Sequence, residues 1–186
     1  MKNRPFIVFF LSLITVVSSL PSLYAQPHPL AKLPSSTAIE VEMIKSAEVS
    51  VPAEFQIALY ENLIQELEKK GEFRQVYREG DRNIAGDADI IVVHAKITGF
   101  KKGSEMARQV TTVSGETSIV VQCQFTDRKG RVLLERGIEG KVRFFGDNLK
   151  ATSDFAKKAS NISHDALSLH QAKSQSDKTT SEELPG

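Results

Sequence analysis

The chain has 186 residues, and its 24 basic and 23 acidic side chains give it a formal net charge of +1. Sequence-independent binding of nucleic acid needs a basic excess gathered on one face, so this balance argues against that class of protein. Cys123 is the only cysteine, which excludes an internal disulfide. Its strand-like surroundings predict a small buried side chain, and packing must stabilise the fold.

Residues 1–25 have the three parts of a secretory signal peptide. Lys2 and Arg4 form a positive start, residues 6–17 carry no charge, and Ala25 suits the small pocket of a signal peptidase. A membrane-spanning helix needs about 20 apolar residues, so cleavage is favoured over the alternative, a retained anchor. No cysteine near the cut can accept a lipid. The mature chain is expected to be periplasmic or secreted, without a stable membrane anchor.

Composition divides the remaining chain into three segments. Residues 26–36 are rich in proline and are predicted to form an extended lead-in. Residues 37–170 are predicted to form a single α/β domain. Residues 171–186 are polar and lack aromatic side chains. They cannot bury enough surface to offset the entropy of ordering, which predicts a disordered tail.

The domain opens with a predicted strand and a predicted helix. Residues 37–44 alternate apolar and polar side chains, as a half-buried strand does. The helix that follows has an apolar stripe with a spacing of four residues, formed by Phe55, Leu59, Leu63 and Leu67. Ser50 is its predicted N-cap and Gly71 its predicted end. Residues 72–77 are predicted to form a short strand.

The middle of the domain predicts three further strands. Residues 90–100 begin with four apolar residues, which is typical of a central strand. His94 in this strand is interpreted as a surface histidine, because no second metal ligand lies at a useful spacing. Residues 118–127 and 131–145 are predicted to pair as a hairpin with Gly130 in its turn.

Three other glycines are expected to disturb this hairpin locally. The threonine-rich residues 109–118 are compatible with a strand that extends the hairpin, and Gly115 would mark a bulge there. Gly137 and Gly140 are expected to weaken or bend the second strand.

A second helix is predicted to close the domain. Its apolar side chains form one narrow stripe at helical spacing, made of Ala151, Phe155, Ala159, Ile162, Ala166 and Leu169. The alanines allow a close approach to a sheet. The order of elements predicts an α+β (mixed α/β) fold, a two-layer sandwich in which a sheet of four or five strands packs against two helices.

The sequence contains no recognised catalytic motif. No glycine-rich phosphate loop follows a strand, and neither H-E-x-x-H nor G-x-S-x-G occurs. The carboxylates are spread over helix faces and turns, so no pair can be assigned acid and base roles. The chain is therefore expected not to be an enzyme and to use no cofactor or metal. A secreted hydrolase with a site that no motif reveals is the least favoured alternative.

The link "GFKKGSEMAR" after the central strand is the candidate binding site. Lys101, Lys102 and Arg108 could gather at one end of the sheet and hold an anionic group, with Gly103 turning the chain between them. The favoured alternative is a solvated connection between two strands whose charges face water. Binding of a small anionic ligand through this link remains the second function hypothesis.

Three segments carry a family resemblance: "VPAEF" with the helix after it, "ADIIVVHAKITGFKKGSEMAR" and "TDRKGRVL". Their order resembles the bacterial exported family called domain of unknown function 4410, over about residues 39–169. Its motifs correspond here to Ala88-Asp89 before a strand, Gly103 with Arg108, and Asp127 with Gly130. Many members look like lipoproteins, and this chain departs from them by lacking the lipid-bearing cysteine.

The resemblance implies an envelope or periplasmic α/β domain and no known reaction. Together with the signal peptide, it leads to a first function hypothesis. The chain is expected to be a non-catalytic envelope domain that mediates protein–protein interaction or assembly. Its partner would be another envelope protein or a second copy of itself.

We expect the exported protein to begin at Gln26, because Ala25 is the small residue that the peptidase pocket accepts. Intact-mass measurement and N-terminal sequencing of the protein recovered from the periplasm test this. The Ala25→Phe variant should accumulate with residues 1–25 attached. Wild-type protein that keeps those residues after export would contradict the prediction.

Overall fold

One face of a mixed β-sheet carries two long helices, which is the two-layer α+β arrangement that the sequence predicts. The computed structural model describes residues 35–46, 49–110, 115–143 and 147–182, without the side chains of residues 108, 110 and 178–182. These residues all belong to one compact unit, Lys32–Gly186. The predicted signal peptide and most of the predicted lead-in lie outside the described residues.

The elements follow the predicted order. In chain order they are β1 (Ala38–Val41), β2 (Lys45–Ser46), α1 (Ala53–Lys70), β3 (Val76–Arg78), a 3₁₀ helix (Arg82–Gly86), β4 (Ile90–Lys101), α2 (Glu105–Val110), β5 (Thr117–Asp127), β6 (Val132–Val142) and α3 (Lys150–Glu182). Within the described ranges, no helix combines the length and the apolar character needed to cross a membrane.

The main strands of the sheet lie in the order β3–β1–β4–β5–β6. β1 runs parallel to β3 and to β4, whereas β4, β5 and β6 are antiparallel neighbours. β4 is therefore central, as its apolar opening predicts. The two-residue β2 also pairs with β4 and is too short to give a periodic pattern.

The predicted strand over residues 37–44 is divided in the structure. β1 ends at Val41, and Met43 is 46% exposed instead of sharing the buried side of Ile39 and Val41. The backbone N–H of Met43 donates to the carboxylate of Glu79 at 2.6 Å. The chain thus stops pairing with β4 after β1 and pairs with β4 again in β2.

The core lies between the sheet and the two long helices. The predicted stripe of α1 is buried there, as are alternate residues of β4, and the largest of these side chains are Phe55, Leu59, Leu63, Leu67, Ile91 and Ile97. Cys123 on β5 is fully buried among them, which confirms its predicted role. Burial raises the pKa of its thiol to about 12, so the group stays protonated and behaves as a small apolar side chain.

The two ends of α1 are formed in different ways. Gly71 has a φ of 61° and its N–H donates to the carbonyl of Glu68, so the predicted left-handed end is confirmed. The prediction that Ser50 caps the other end is wrong. Pro52 occupies the N-cap position with a ψ of 140°, and no side chain caps the helix.

α3 packs on the sheet mainly through small side chains. The fully or almost fully buried positions are Ala151, Thr152, Phe155, Ala156, Ala159, Ser160, Ser163 and Ala166. Of the predicted stripe, Ile162 is only half-buried and Leu169 is 41% exposed. The size of a side chain therefore decides its place in the buried stripe of α3 more than its hydrophobicity does. Only small residues let the backbone of the helix lie close to the sheet.

Gly140 on β6 marks the closest approach of α3. A Cβ atom at this position would lie 2.2 Å from the carbonyl oxygen of Ala151 and 2.8 Å from the Cβ of Phe155. The sequence predicts that Gly140 weakens or bends its strand. The structure shows instead that the absence of a side chain at Gly140 is required for the helix to pack on the strand.

α3 continues through Glu182, into the segment that the sequence predicts to be a disordered tail. Described side chains from Gln171 onward are exposed, as the polar composition requires. The extension adds backbone hydrogen bonds to a helix that is already nucleated. It also contacts the β6 end of the sheet: Lys173 Nζ donates to the carbonyl of Val132 at 3.4 Å, and Asp177 lies 3.5 Å from Arg131.

The structure confirms the hairpin of β5 and β6. The segment that precedes β5 differs from the prediction. Gly130 has a φ of 77°, and its N–H donates to the carbonyl of Asp127 at 2.9 Å. α2 occupies the beginning of the predicted extension over residues 109–118. Gly115 has a φ of 96° and precedes β5, whereas the register shift between β5 and β6 lies between Phe125 and Thr126.

Within the described part of the chain, the sheet face opposite the helices is covered at one end only. There the 3₁₀ helix packs Ile84 against a small second cluster of Ala38, Tyr77 and Ile90. Arg128 holds this cover in place, because its guanidinium donates to the carbonyls of the 3₁₀ helix and of Asp87. The rest of this face, the open sheet face, is solvated.

Gly140→Ala should lower the free energy of unfolding by about 1–3 kcal/mol, because the new methyl group would displace the backbone of α3. Gly137→Ala is the matched control. Its Cβ would meet only the Oε1 atom of Gln122, at 3.1 Å, and this flexible side chain can move. Urea denaturation of both variants measures the difference. Equal losses of stability would show that the contact at Gly140 is not special.

Candidate functional site

The structure places the predicted basic link between β4 and β5, at the end of the sheet. Lys101 ends β4, and the side chains of Lys101 and Lys102 are exposed and form no hydrogen bond or ion pair with other described residues. Arg108 lies in α2, and its side chain is outside the description. The structure thus leaves the anion-binding role of this link as a prediction.

Gly103, which is predicted to turn the chain, also makes a close contact with a distant part of the backbone. A Cβ atom here would lie 2.0 Å from the carbonyl oxygen of Gly115 and 2.5 Å from the backbone of Glu116. Its N–H donates to the hydroxyl of Thr117 at 2.9 Å, and that hydroxyl donates to Asn148 at 2.5 Å. Gly103 therefore lets the link lie directly against the chain that enters β5.

The open sheet face carries a network of polar side chains centred on His94. His94 Nδ1 lies 2.8 Å from the carboxylate of Glu42, and its Nε2 lies 3.1 Å from the hydroxyl of Thr126. On the neighbouring strands, the amides of Gln122 and Gln124 donate to the two oxygens of Glu135 at 3.0 and 3.3 Å. Each of these groups is thus already bonded across the strands.

Acidic residues surround one end of this network. Partial burial raises the pKa of Glu40, and the nearby carboxylates of Glu42 and Glu79 raise it further. Three carboxylates near one imidazole could attract a cation. However, no group of three or more metal-ligating side chains is assembled among the residues that the structure describes.

The line Glu42–His94–Thr126 has the order of an acid, a base and a hydroxyl, as in hydrolytic triads. Two features separate it from such a centre. Thr126 is only 5% exposed, and it lies within β5, between two strands that pair with it. A substrate carbonyl would have to reach this hydroxyl and find free backbone N–H donors beside it. The arrangement is better suited to holding β4, β5 and the segment that follows β1 in place.

A second polar cluster joins α3 to the start of β4. The carboxylate of Asp89 lies 2.5 Å from His170 Nε2 and accepts hydrogen bonds from the hydroxyls of Thr37 at 2.9 Å and Ser36 at 3.3 Å. Burial alone would raise the pKa of Asp89, but the bonds from His170 and Thr37 outweigh it and lower that pKa below its usual value. This cluster attaches α3 to the sheet end.

The outer edge of β6 has no strand beside it in the described sheet. At one end, Lys158 Nζ donates to the carbonyl of Glu139 at 2.8 Å, and the N–H of Lys141 donates to the carboxylate of Asp154 at 2.9 Å. At the other end, Lys173 covers the carbonyl of Val132. α3 therefore covers both ends of this edge.

The middle of the edge, Glu135–Gly137, is left open. Backbone groups of alternate residues in a strand point the same way, so Gly137 and Glu135 face outward like Glu139 and Lys141. All three residues of this stretch are exposed. The Glu135 carbonyl accepts from the side chain of Arg136 at 3.0 Å, while no described residue covers the outward N–H and C=O of Gly137. We call Glu135–Gly137 the edge window.

Next to the edge window, β6 and α3 form a concave surface that we call the β6–α3 groove. Two adjoining cavities of about 740 and 540 Å³ share Lys141, Arg143 and Asp154 in their linings. Both are polar and widely open. The charged side chains that line them are Glu139, Lys141, Arg143, Lys150, Asp154, Lys157 and Lys158.

Cations outnumber carboxylates in this groove, five to two. Lys158 pairs with Asp154 at 2.7 Å, Lys141 with Glu139 at 2.8 Å, and Arg143 with Glu116, outside the groove, at 2.7 Å. Lys150 and Lys157 are exposed and form no ion pair within the described part of the chain. Since the whole chain carries a net charge of only +1, this groove concentrates positive charge.

The sequence does not predict this site. Its cations belong to two elements that meet only in the fold, and each of them looks like an ordinary solvated charge in the sequence. The one local signal is Gly137, an unusual residue inside a strand, which the sequence interpretation assigns to weakening of the strand.

No family model and no curated protein matches this chain. The resemblance to domain of unknown function 4410 therefore stays a prediction. Solved structures do share the fold, and two of the most similar are bacterial proteins.

Protein XCC0632 from Xanthomonas campestris, described as a domain of unknown function 330 protein, has a TM-score of 0.53 and 14% identity, covering 80% of this chain and 94% of that one. PelC from Paraburkholderia phytofirmans, described as a dodecamer, has a TM-score of 0.51 and 14% identity, covering 75% of this chain and 91% of that one. At these identities the likeness establishes the fold alone.

Asp89→Asn should destabilise the domain at pH 7 by about 0.5–1 kcal/mol, a small figure because the carboxylate is partly screened by solvent. The pKa of Asp89 is lower in the folded state, so its contribution is complete above the unfolded value of about 4 and is lost as the pH falls through the folded value. The difference between wild type and variant should therefore be full near neutral pH and shrink as the pH falls below about 4.

Urea denaturation over this pH range measures the effect. Asp165→Asn, at an exposed position on α3, is the control and should leave stability unchanged. If the difference for Asp89→Asn were the same at every pH, the charge of Asp89 would not be its cause.

Proposed function

We propose that this chain is an exported, non-catalytic domain of the bacterial cell envelope that mediates protein assembly. The observation that carries the proposal is the edge window of β6. An unpaired strand edge is a template on which another chain can form hydrogen bonds. Here the ends of the edge are covered by α3 and the middle is not, as expected of a surface that binds a partner in one register.

The proposal of an envelope location has two supports. The signal peptide expected over residues 1–25 would export the chain, and the resemblance to domain of unknown function 4410 implies an envelope or periplasmic domain. The solved structures of the same fold come from bacteria.

PelC supports assembly in particular. This fold neighbour is described as a dodecamer, so a domain of this architecture is able to serve as the unit of a large homo-oligomer. Association of this chain with copies of itself is therefore one form of the proposed function, and association with a different envelope protein is the other.

The non-catalytic part of the proposal rests on how the polar side chains are used. On the open sheet face, His94 bridges Glu42 and Thr126, and two glutamine amides hold Glu135. These groups stabilise one another across strands. A catalytic centre would instead present a reactive group and free donors to a substrate.

The test is the assembly state of the processed chain, residues 26–186. Light scattering after gel filtration gives its mass over a range of concentrations, and cross-linking in an envelope extract gives its complexes. We expect a homo-oligomer or a discrete complex with one partner. Gly137→Pro should abolish this complex, because proline removes the outward N–H of the edge window.

Gly137→Ala is the matched control and should preserve the complex, because it adds a methyl group and keeps the N–H. A chain that stays monomeric at every concentration and recovers no partner would contradict the proposed function. A complex that is insensitive to Gly137→Pro would contradict the choice of the β6 edge as the assembly surface.

A further inference from the structure

We propose that the β6–α3 groove binds an extended acidic segment of a partner protein, which adds as a short strand to the edge window and places its carboxylates among the lysines beyond it. The inference rests on the proposed function, since it names the partner chemistry of the assembly surface. Three observations support it independently: the backbone of the edge, the charge of the groove, and the kind of side chains that line it.

The backbone of the edge selects an extended polypeptide. Gly137 presents an outward N–H and C=O at an exposed position of the edge. Strand addition uses such main-chain groups for affinity and side-chain sites on either side for specificity. Because Lys158 and Asp154 cover the groups of Glu139 and Lys141, the added strand can pair only in the edge window.

The charge of the groove selects acidic side chains. Beyond the edge window, a chain that continues along β6 passes Lys141 and Arg143, with Lys150 and Lys157 on the facing side of α3. At about 3.3 Å per residue, the stretch from Gly137 to Arg143 spans about 20 Å, enough for a segment with two or three carboxylates on one face.

The same charges argue against pairing of β6 with β6 of a second copy. In an antiparallel pair about a two-fold axis at Gly137, Arg143 would lie opposite Arg131 of the second copy and Glu139 opposite its Glu135, and like charges that face each other destabilise an interface. An acidic segment removes this repulsion. The charge of an acidic segment therefore complements that of the groove, whereas the β6 edge of a second copy does not.

The lining favours a polypeptide over an acidic glycan. Among the residues that the structure describes, no aromatic side chain lines either cavity, and the apolar lining residues are Ile138, Val142 and Ile162. The described lining therefore offers sugar rings no flat aromatic surface to stack on. The free main-chain groups of the edge window, in contrast, have the spacing of a peptide backbone.

The probe is a fluorescein-labelled peptide of about ten residues in which glutamate alternates with threonine, so that it is acidic and forms strands easily. Fluorescence anisotropy with the full processed chain measures its affinity. We expect saturable binding that weakens as salt rises, since the groove is open to solvent. A peptide with lysine in place of glutamate should not bind.

Two pairs of variants locate the site. Lys150→Glu with Lys157→Glu should weaken binding at least about tenfold, or about 1.4 kcal/mol. Lys101→Glu with Lys102→Glu makes the same charge change in the exposed basic link and should leave the affinity unchanged. Gly137→Pro should also weaken binding about tenfold, while Gly137→Ala should not.

Circular dichroism and melting temperature show whether each variant is folded. If Gly137→Pro fails to fold, the lysine variants decide, because Lys150 and Lys157 are exposed on α3 and leave the core intact.

Four results would overturn the proposal. Equal losses in the two lysine pairs would show unspecific attraction to positive charge. Full affinity in folded Gly137→Pro would exclude strand addition. Stronger binding of polygalacturonate than of the peptide would identify the ligand as a glycan. A chain that assembles through Gly137 and ignores acidic peptides would refute this inference and leave the proposed function standing.

Discussion

The close approach of α3 to β6 at Gly140 is the constraint on which the rest of the structure depends. Without a side chain at Gly140, Ala151 and Phe155 pack directly on the strand backbone. At this distance the polar side chains of α3 reach the strand edge, where Asp154 and Lys158 bond to its main chain. The packing that closes the core thus also decides which part of the edge is covered and which part stays open.

The sequence predicts those elements whose signal lies within a few residues and misses those that depend on a distant contact. The stripe of α1 and the turn at Gly130 carry their signals locally, and the structure confirms both. Gly103 also looks like a turn residue, but its role comes from contact with Gly115 and Glu116, which a local pattern cannot show. Likewise, the polar composition of the tail does not reveal that Asp177 on the extended α3 meets Arg131 across the fold.

The candidate site was harder to predict than the fold for the same reason. Adjacent basic residues such as Lys101 and Lys102 attract notice in a sequence, and in the structure both side chains are exposed at the end of the sheet. The lysines of the groove are dispersed along β6 and α3, and only the packing of the two elements brings them together. What distinguishes the groove further is the unpaired backbone at Gly137, and a sequence does not show which strand lies at the edge of a sheet.

The open sheet face and the edge window are both solvated, but they differ in which hydrogen-bonding groups are still available to a ligand. On the face, His94 and Glu135 already have partners on neighbouring strands, so a ligand would have to replace existing hydrogen bonds and would gain little. At the edge, no described residue bonds to the outward main chain of Gly137, so a partner strand can form new hydrogen bonds there while burying both backbones. The backbone of the edge window allows many extended chains to pair with it. The cations beside the edge window can then determine which of these partners binds there.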